Sequence, residues 1–149
     1  TKEMRLFEFG SGHSTLFFAR LAGAVTSVES DPEWYRTVQA KIPPQVRLIC
    51  QAEDRDGAYC RSIAGSGERY DVVVVDGRDR VNCLRQSVGC LAEGGVLLLD
   101  DAQREQYLPG IDFLKSQGFR MLHFEGLKPT TNSLQQAILF YRRENCLGI

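Results

Sequence analysis

The sequence predicts an α/β domain: a doubly wound, mostly parallel sheet of seven strands with an antiparallel strand pair at its C-terminal edge. Three observations carry this. Short apolar runs alternate five times with segments of helical spacing. Two of those runs, residues 72–75 and 96–99, are apolar at every position, as strands covered on both faces are. The last two strands follow each other across a polar loop with no helix between them, which suits antiparallel neighbours and not parallel ones.

Residues 5–9 form the first strand, apolar and aromatic, which stops at Gly10-Ser11-Gly12. Residues 15–22 carry apolar side chains at helical spacing, with Ser14 as the expected N-cap. Residues 24–28 are the second strand. Asp31-Pro32-Glu33 then starts a helix with a capping acid, a proline at the first position and an acid in the first turn; Pro43-Pro44 lies beyond its end near Lys41. Residues 46–50 are the third strand, and residues 57–64 a short helix that ends at Gly65-Ser66-Gly67. Residues 70–76 are the central strand. Leu84, Val88 and Leu91 mark the next helix, Gly94-Gly95 a turn, and residues 96–100 the fifth strand, which ends in paired acids. A helix over residues 108–117, with Pro109 in its first turn, closes on Gly118 in a left-handed cap position. Strands over residues 119–124 and 134–142 complete the sheet. Right-handed crossovers divide the helices between its two faces.

With 149 residues, 43% of them hydrophobic, the chain can bury one core, and residues 1–149 read as a single domain. The first strand starts almost at once, so an N-terminal helical cap is expected to be missing. Formal net charge is -1 and no run of like charges occurs, so the composition recommends a small-molecule site over a nucleic-acid or membrane surface. The apolar runs are far shorter than a membrane span. Five scattered cysteines form no C-x-x-C pair and no zinc-ligand spacing, and read as reduced, small apolar residues of a cytoplasmic protein. Nothing encodes an oligomeric state, and a homodimer stays open.

Open α/β sheets bind ligands beyond the carboxyl ends of their strands, where the strand order reverses. After the first strand, Gly10 and Gly12 let the backbone turn sharply and come close to a ligand. After the second stands Glu29, about 20 residues beyond the loop, the spacing at which an acid meets ribose hydroxyls. A nucleoside ligand follows. A dinucleotide loop needs a third small residue where this chain has Thr15, which disfavours a pyrophosphate.

These features resemble the class I S-adenosylmethionine-dependent methyltransferases, whose fold is Rossmann-like. The resemblance spans nearly the whole chain. It rests on Glu8-Phe9-Gly10-Ser11-Gly12, on Val28-Glu29-Ser30-Asp31, on Tyr70 to Gly77 with its valine run, on Leu91-Ala92-Glu93-Gly94-Gly95-Val96-Leu97, and on the late antiparallel pair. It implies S-adenosyl-L-methionine as cofactor. The methionine part would lie over Gly10, Ser11 and Gly12, with Ser14 close by and Glu8 near its amino group. Glu29 and Ser30 would meet the ribose, and Glu53 or Asp54 the adenine. Asp76 would face both the cofactor and a small-molecule acceptor.

Asp76, Asp100 and Asp101 end the two central strands. The arrangement is similar to metal-dependent O-methyltransferases of the catechol type, with Asp101 where that family usually has Asn. It implies a divalent cation, Mg or Ca, held by the three acids. The bland alternative is that these acids cap turns. Asp76, Asp100 and Arg78 are the candidate catalytic residues. Arg78 or Arg80 would clamp an acidic acceptor or pair with neighbouring acids, Arg104 and Tyr107 would line the same rim, and Trp34 reads as core packing. Two other functions stay open, a nicotinamide-dependent oxidoreductase domain and a non-catalytic cofactor-binding module.

Overall fold

Strands β1 (Arg5–Phe9), β2 (Ala24–Glu29), β3 (Val46–Cys50), β4 (Tyr70–Val75), β5 (Leu91–Leu99), β6 (Arg120–Leu127) and β7 (Leu134–Tyr141) form one sheet in the order β3-β2-β1-β4-β5-β7-β6. This is the arrangement in a computed structural model that describes residues 3–127 and 133–149. The expected polar loop between the last two strands falls largely on residues 128–132, outside the described residues. Every pairing is parallel except β5 with β7 and β6 with β7. The expected edge pair is therefore present, and β7 slots between β5 and β6. The connections reverse direction between β1 and β4, which opens a crevice at their carboxyl ends.

Helices α1 (His13–Phe18), α2 (Pro32–Gln39), α3 (Ala58–Arg61), α4 (Arg80–Val88) and α5 (Leu108–Ser116) link the strands. Side-chain alternation sends Phe7 and Phe9 of β1 into the larger core, with Tyr59, Tyr70, Leu84, Leu97, Leu114 and Phe140. Leu6 goes to the smaller core on the other face, with Ala19, Val25, Val46 and Val74. Each large side chain so buried stabilises the fold by about 1.5–3 kcal/mol before entropy is counted. On the smaller-core face, Leu6, Val72 and Val96 stand in register, as do Val74, Leu98, Leu139 and Leu122. Most of these residues floor an apolar groove of about 530 Å³ beside Phe18 and Leu21. The five cysteines are free thiols, Cys60 and Cys83 buried. No described helix is long and apolar enough to cross a membrane.

The structure corrects several boundaries. Helix α1 starts at His13 on Gly12, not on Ser14, because the Thr15 hydroxyl accepts the Gly12 amide at 2.9 Å and closes the first turn from inside. It ends at Phe18, short of the expected Ala22. Helix α3 is a single turn, followed by a 3₁₀ turn over Ala64–Ser66. Strand β5 starts at Leu91, which pairs with Tyr70, so Leu91 is not helical and Gly94-Gly95 lies inside the strand. The register with β4 shifts there, Gly94 has φ +73°, and a Cβ on Gly95 would sit 2.8 Å from the Tyr70 carbonyl oxygen. Two adjacent glycines here serve a bulge.

Candidate active site

The crevice is shaped first by close backbone approach. Gly10 has φ +92°, and a Cβ there would lie 3.1 Å from the Asp76 carbonyl and from the Gly77 Cα. A Cβ on Gly77 would meet the Tyr59 Oη at 2.1 Å and the Gly10 nitrogen at 2.8 Å. The ends of β1 and β4 therefore pass each other only because both residues lack side chains. Gly77 was missed as a structural requirement by sequence reasoning. The signal was present in the glycine directly after an apolar strand and its acid.

Glu29 ties the loop to β2. Its Oε2 accepts the Ser11 amide at 3.1 Å and the Ser11 hydroxyl at 2.8 Å, and its Oε1 accepts the amides of Ser30 at 2.8 Å and Asp31 at 2.9 Å. All four lone-pair positions of the carboxylate are engaged. The Gly12 amide is taken by Thr15, so the two loop donors Ser11 N and Gly12 N are both satisfied within the protein. Trp34, expected in the core, is instead exposed. Its indole donates to the Ser11 carbonyl at 2.7 Å and its ring lies against Gly12.

Glu8 lies beneath the loop, fully buried. Its Oε2 accepts Thr15 Oγ1 at 2.5 Å and Ser27 Oγ at 3.0 Å, while Oε1 has no hydrogen-bond partner among the described residues. Burial pushes its pKa up, with the hydroxyls of Ser14, Thr15 and Ser27 opposing. Asp76, its side chain 44% exposed at the end of β4, is pushed up to about 7 by partial burial and the neighbouring Asp100 carboxylate, with Arg80 opposing. Asp100 also accepts Gln135 Nε2 at 2.8 Å and 3.0 Å.

Asp101 does not join these two acids. It takes a left-handed backbone, φ +50°, and pairs with Arg104 at 2.5 Å. No group of three His, Cys, Asp or Glu side chains among the described residues could hold a metal ion. The expected cation set of Asp76, Asp100 and Asp101 is thus not formed, because the turn after β5 rotates the third acid onto an arginine.

Arg80 settles between its two expected roles. Only 8% exposed, it donates to the carbonyls of Gly77 at 3.0 Å, Asp100 at 2.5 Å and Asp76 at 3.2 Å, and to Asp76 Oδ1 at 3.0 Å, with its guanidinium over the Tyr107 ring. It binds the ends of β4 and β5 together and is not available to clamp a substrate.

A cavity of about 360 Å³ brings together Gly10, Ser11, Ser14, Glu29, Ser30 and Asp76, with Tyr59 and Arg78 on its wall. Gly12 stands outside it, against Trp34. Neither expected adenine acid lines it. Asp54 accepts the amides of Ala58 at 2.7 Å and Tyr59 at 2.9 Å, which start α3 and hold its carboxyl below the usual range. Glu53 turns to Arg78 at 3.6 Å on an adjoining cavity.

No family model matches the chain, and no curated protein matches it in sequence. Solved structures match its fold. An rRNA methylase from Streptococcus thermophilus superposes with a TM-score of 0.68 at 15% identity, over 95% of this chain and 89% of its own. The N-methyltransferase NodS from Bradyrhizobium japonicum WM9, in complex with S-adenosyl-L-homocysteine, does so at 0.63 and 15%, over 95% and 79%. A precorrin-6y C5,15-methyltransferase from Geobacter metallireducens GS-15 does so at 0.64 and 14%, over 94% and 80%. The chain has the Rossmann-like fold of the class I S-adenosylmethionine-dependent methyltransferases. These three proteins differ in what they methylate, and the shared fold by itself assigns no activity.

Proposed function

We propose that the chain is an S-adenosylmethionine-dependent methyltransferase acting on a small-molecule acceptor. The observation that carries this is the charge and hydrogen-bond state of the crevice. Its loop amides are already satisfied by Glu29 and Thr15, and three carboxylates, Glu8, Glu29 and Asp76, lie at or under it. A pyrophosphate would find the Ser11 and Gly12 amides taken and the carboxylates of Glu29 and Asp76 on the wall, where Arg80 and Arg104 are already paired with acids and Arg78 is paired weakly; a sulfonium with an ammonium group is favoured beside the two carboxylates. This weighs against the nicotinamide reading.

Gly10 and Ser11 would carry the methionine part, with the open oxygen of Glu8 beneath supplying negative potential toward its ammonium. A ribose hydroxyl would take the place of the Ser11 hydroxyl on Glu29. When bound, S-adenosylmethionine would supply an electrophilic methyl for transfer to the acceptor atom, with its sulfonium becoming a neutral thioether. The protein's part is to align the acceptor and take its proton. Asp76, titrating near neutrality beside Asp100, is placed to receive that proton. A hydroxyl is the favoured acceptor group, because it must be deprotonated before attack while a neutral amine attacks through its lone pair.

Calorimetric titration with S-adenosylhomocysteine and, separately, with NADH tests the reading. Saturable heat with the first and none with the second is expected, and the reverse pattern overturns it.

A further inference from the structure

Beside the cofactor cavity lies a second one of about 500 Å³, and the two share Gly77, Arg78, Arg80 and Arg104. Five arginines line the second cavity, Arg55, Arg78, Arg80, Arg85 and Arg104, against two acids, Glu53 and Asp79. Their partners separate them. Arg80 is committed to the strand ends and to Asp76, and Arg104 to Asp101. The pair of Arg78 and Glu53, at 3.6 Å with both side chains more than half exposed, is weak. Arg55 and Arg85 are exposed, and no acid among the described residues lies within ion-pair distance of either. Arg85 touches only the Asn82 amide oxygen, at 3.4 Å. Asp79 is itself occupied by the Asp56 amide at 2.8 Å and by Asn82.

We propose that this second cavity holds the methyl acceptor, and that the acceptor is a small molecule carrying an oxyanion, a carboxylate or a phosphate monoester, bound by Arg85 and Arg55 with Arg78 free to swing in from Glu53. The proposal rests on the methyltransferase reading. An anionic group on the Arg55 and Arg85 guanidiniums satisfies cations that have no acid partner among the described residues, through paired hydrogen bonds. It also directs the rest of the molecule past the shared wall toward the cofactor cavity, which Asp76 lines. Acids thus lie at the cofactor's loop, while arginines gather on the shared wall and in the second cavity around the anionic acceptor. The chain carries a formal net charge of -1, so no overall excess of positive charge favours a polynucleotide over a small anion here.

The test is calorimetry on the wild-type chain, Arg85→Gln and the double variant R55Q/R85Q, each titrated with phenyl phosphate, benzoate, phenol and a single-stranded oligonucleotide, and separately with S-adenosylhomocysteine. Phenyl phosphate or benzoate is expected to bind the wild type saturably and phenol not. The single variant should weaken the anion about tenfold or more, the double variant further. S-adenosylhomocysteine affinity should not change in either, which also reports that the variants are folded. Absence of saturable anion binding, binding unaltered in the double variant, or an oligonucleotide that outcompetes phenyl phosphate would each overturn the proposal. If the anion binds but S-adenosylhomocysteine does not, the cofactor reading fails while the arginine cavity stands. The opposite result removes the acceptor proposal alone. Which of the two anions binds tighter separates carboxylate from phosphate.

Discussion

At the scale of single residues, the rim is held by contacts that tolerate little change. Gly77→Ala would place a methyl 2.8 Å from the Gly10 nitrogen and 2.9 Å from the Phe9 carbonyl carbon, both backbone atoms that cannot swing aside. We expect a loss of about 1–3 kcal/mol in denaturant unfolding. Adding Tyr59→Phe should recover little of it, since the backbone clash remains. Asp76 gives a prediction with a sign. Its folded-state pKa lies above its unfolded value, so between about pH 4 and 7 the folded state holds a proton the unfolded state has lost, and stability falls as pH rises through that window. The melting midpoint should therefore be higher at pH 5.5 than at pH 8. Asp76→Asn should flatten that slope, stabilise the protein at pH 8 and, on the proposed role of Asp76, abolish methyl transfer. Glu8, shifted in the same direction by burial, should leave a residual slope. A wild-type midpoint that climbs from pH 5.5 to 8 would contradict this account.

At the scale of elements, β5 is apolar on both faces, but the two faces have different surroundings. Leu97 packs fully buried in the larger core, whereas Leu98, one residue along, floors the apolar groove and is half-buried. Leu97→Ala should cost about 2–5 kcal/mol and Leu98→Ala less than half as much, because a groove wall can relax and water can enter. Equal costs in urea unfolding would show that both faces are equally closed. The same strand shows why sequence boundaries slipped. Val88 and Leu91 have helical spacing, yet Leu91 is drawn into the sheet by pairing with Tyr70, a contact 21 positions away in the chain. Gly94-Gly95 has the composition of a turn and becomes a bulge for the same reason. Local pattern identifies a strand, but long-range pairing decides where it starts.

At the scale of the whole molecule, the two cavities meet at the carboxyl edge of the sheet, and ligand binding there should stabilise the entire fold. S-adenosylhomocysteine at one hundred times its dissociation constant should add about 2.7 kcal/mol, seen as a raised melting midpoint that NADH does not reproduce. Much of this architecture was legible in the sequence. The alternation of apolar runs and helical segments, the late antiparallel pair, the bend at Gly10 and the acid at position 29 are local patterns of spacing and composition, and backbone sterics turn such patterns into structure with few alternatives. What the tertiary structure alone decided is which way the charged side chains at the strand ends point. Asp101 was grouped with Asp76 and Asp100 because all three follow strands, but its left-handed backbone sends it to Arg104. Arg80 and Arg78 stand two positions apart in the sequence, yet one is buried across three carbonyls and the other faces an open cavity. The arginine wall gathers residues 55, 78, 85 and 104 from three different connections. The direction of a side chain beyond a strand depends on a few backbone angles and on partners distant in sequence, and neither is encoded in local periodicity.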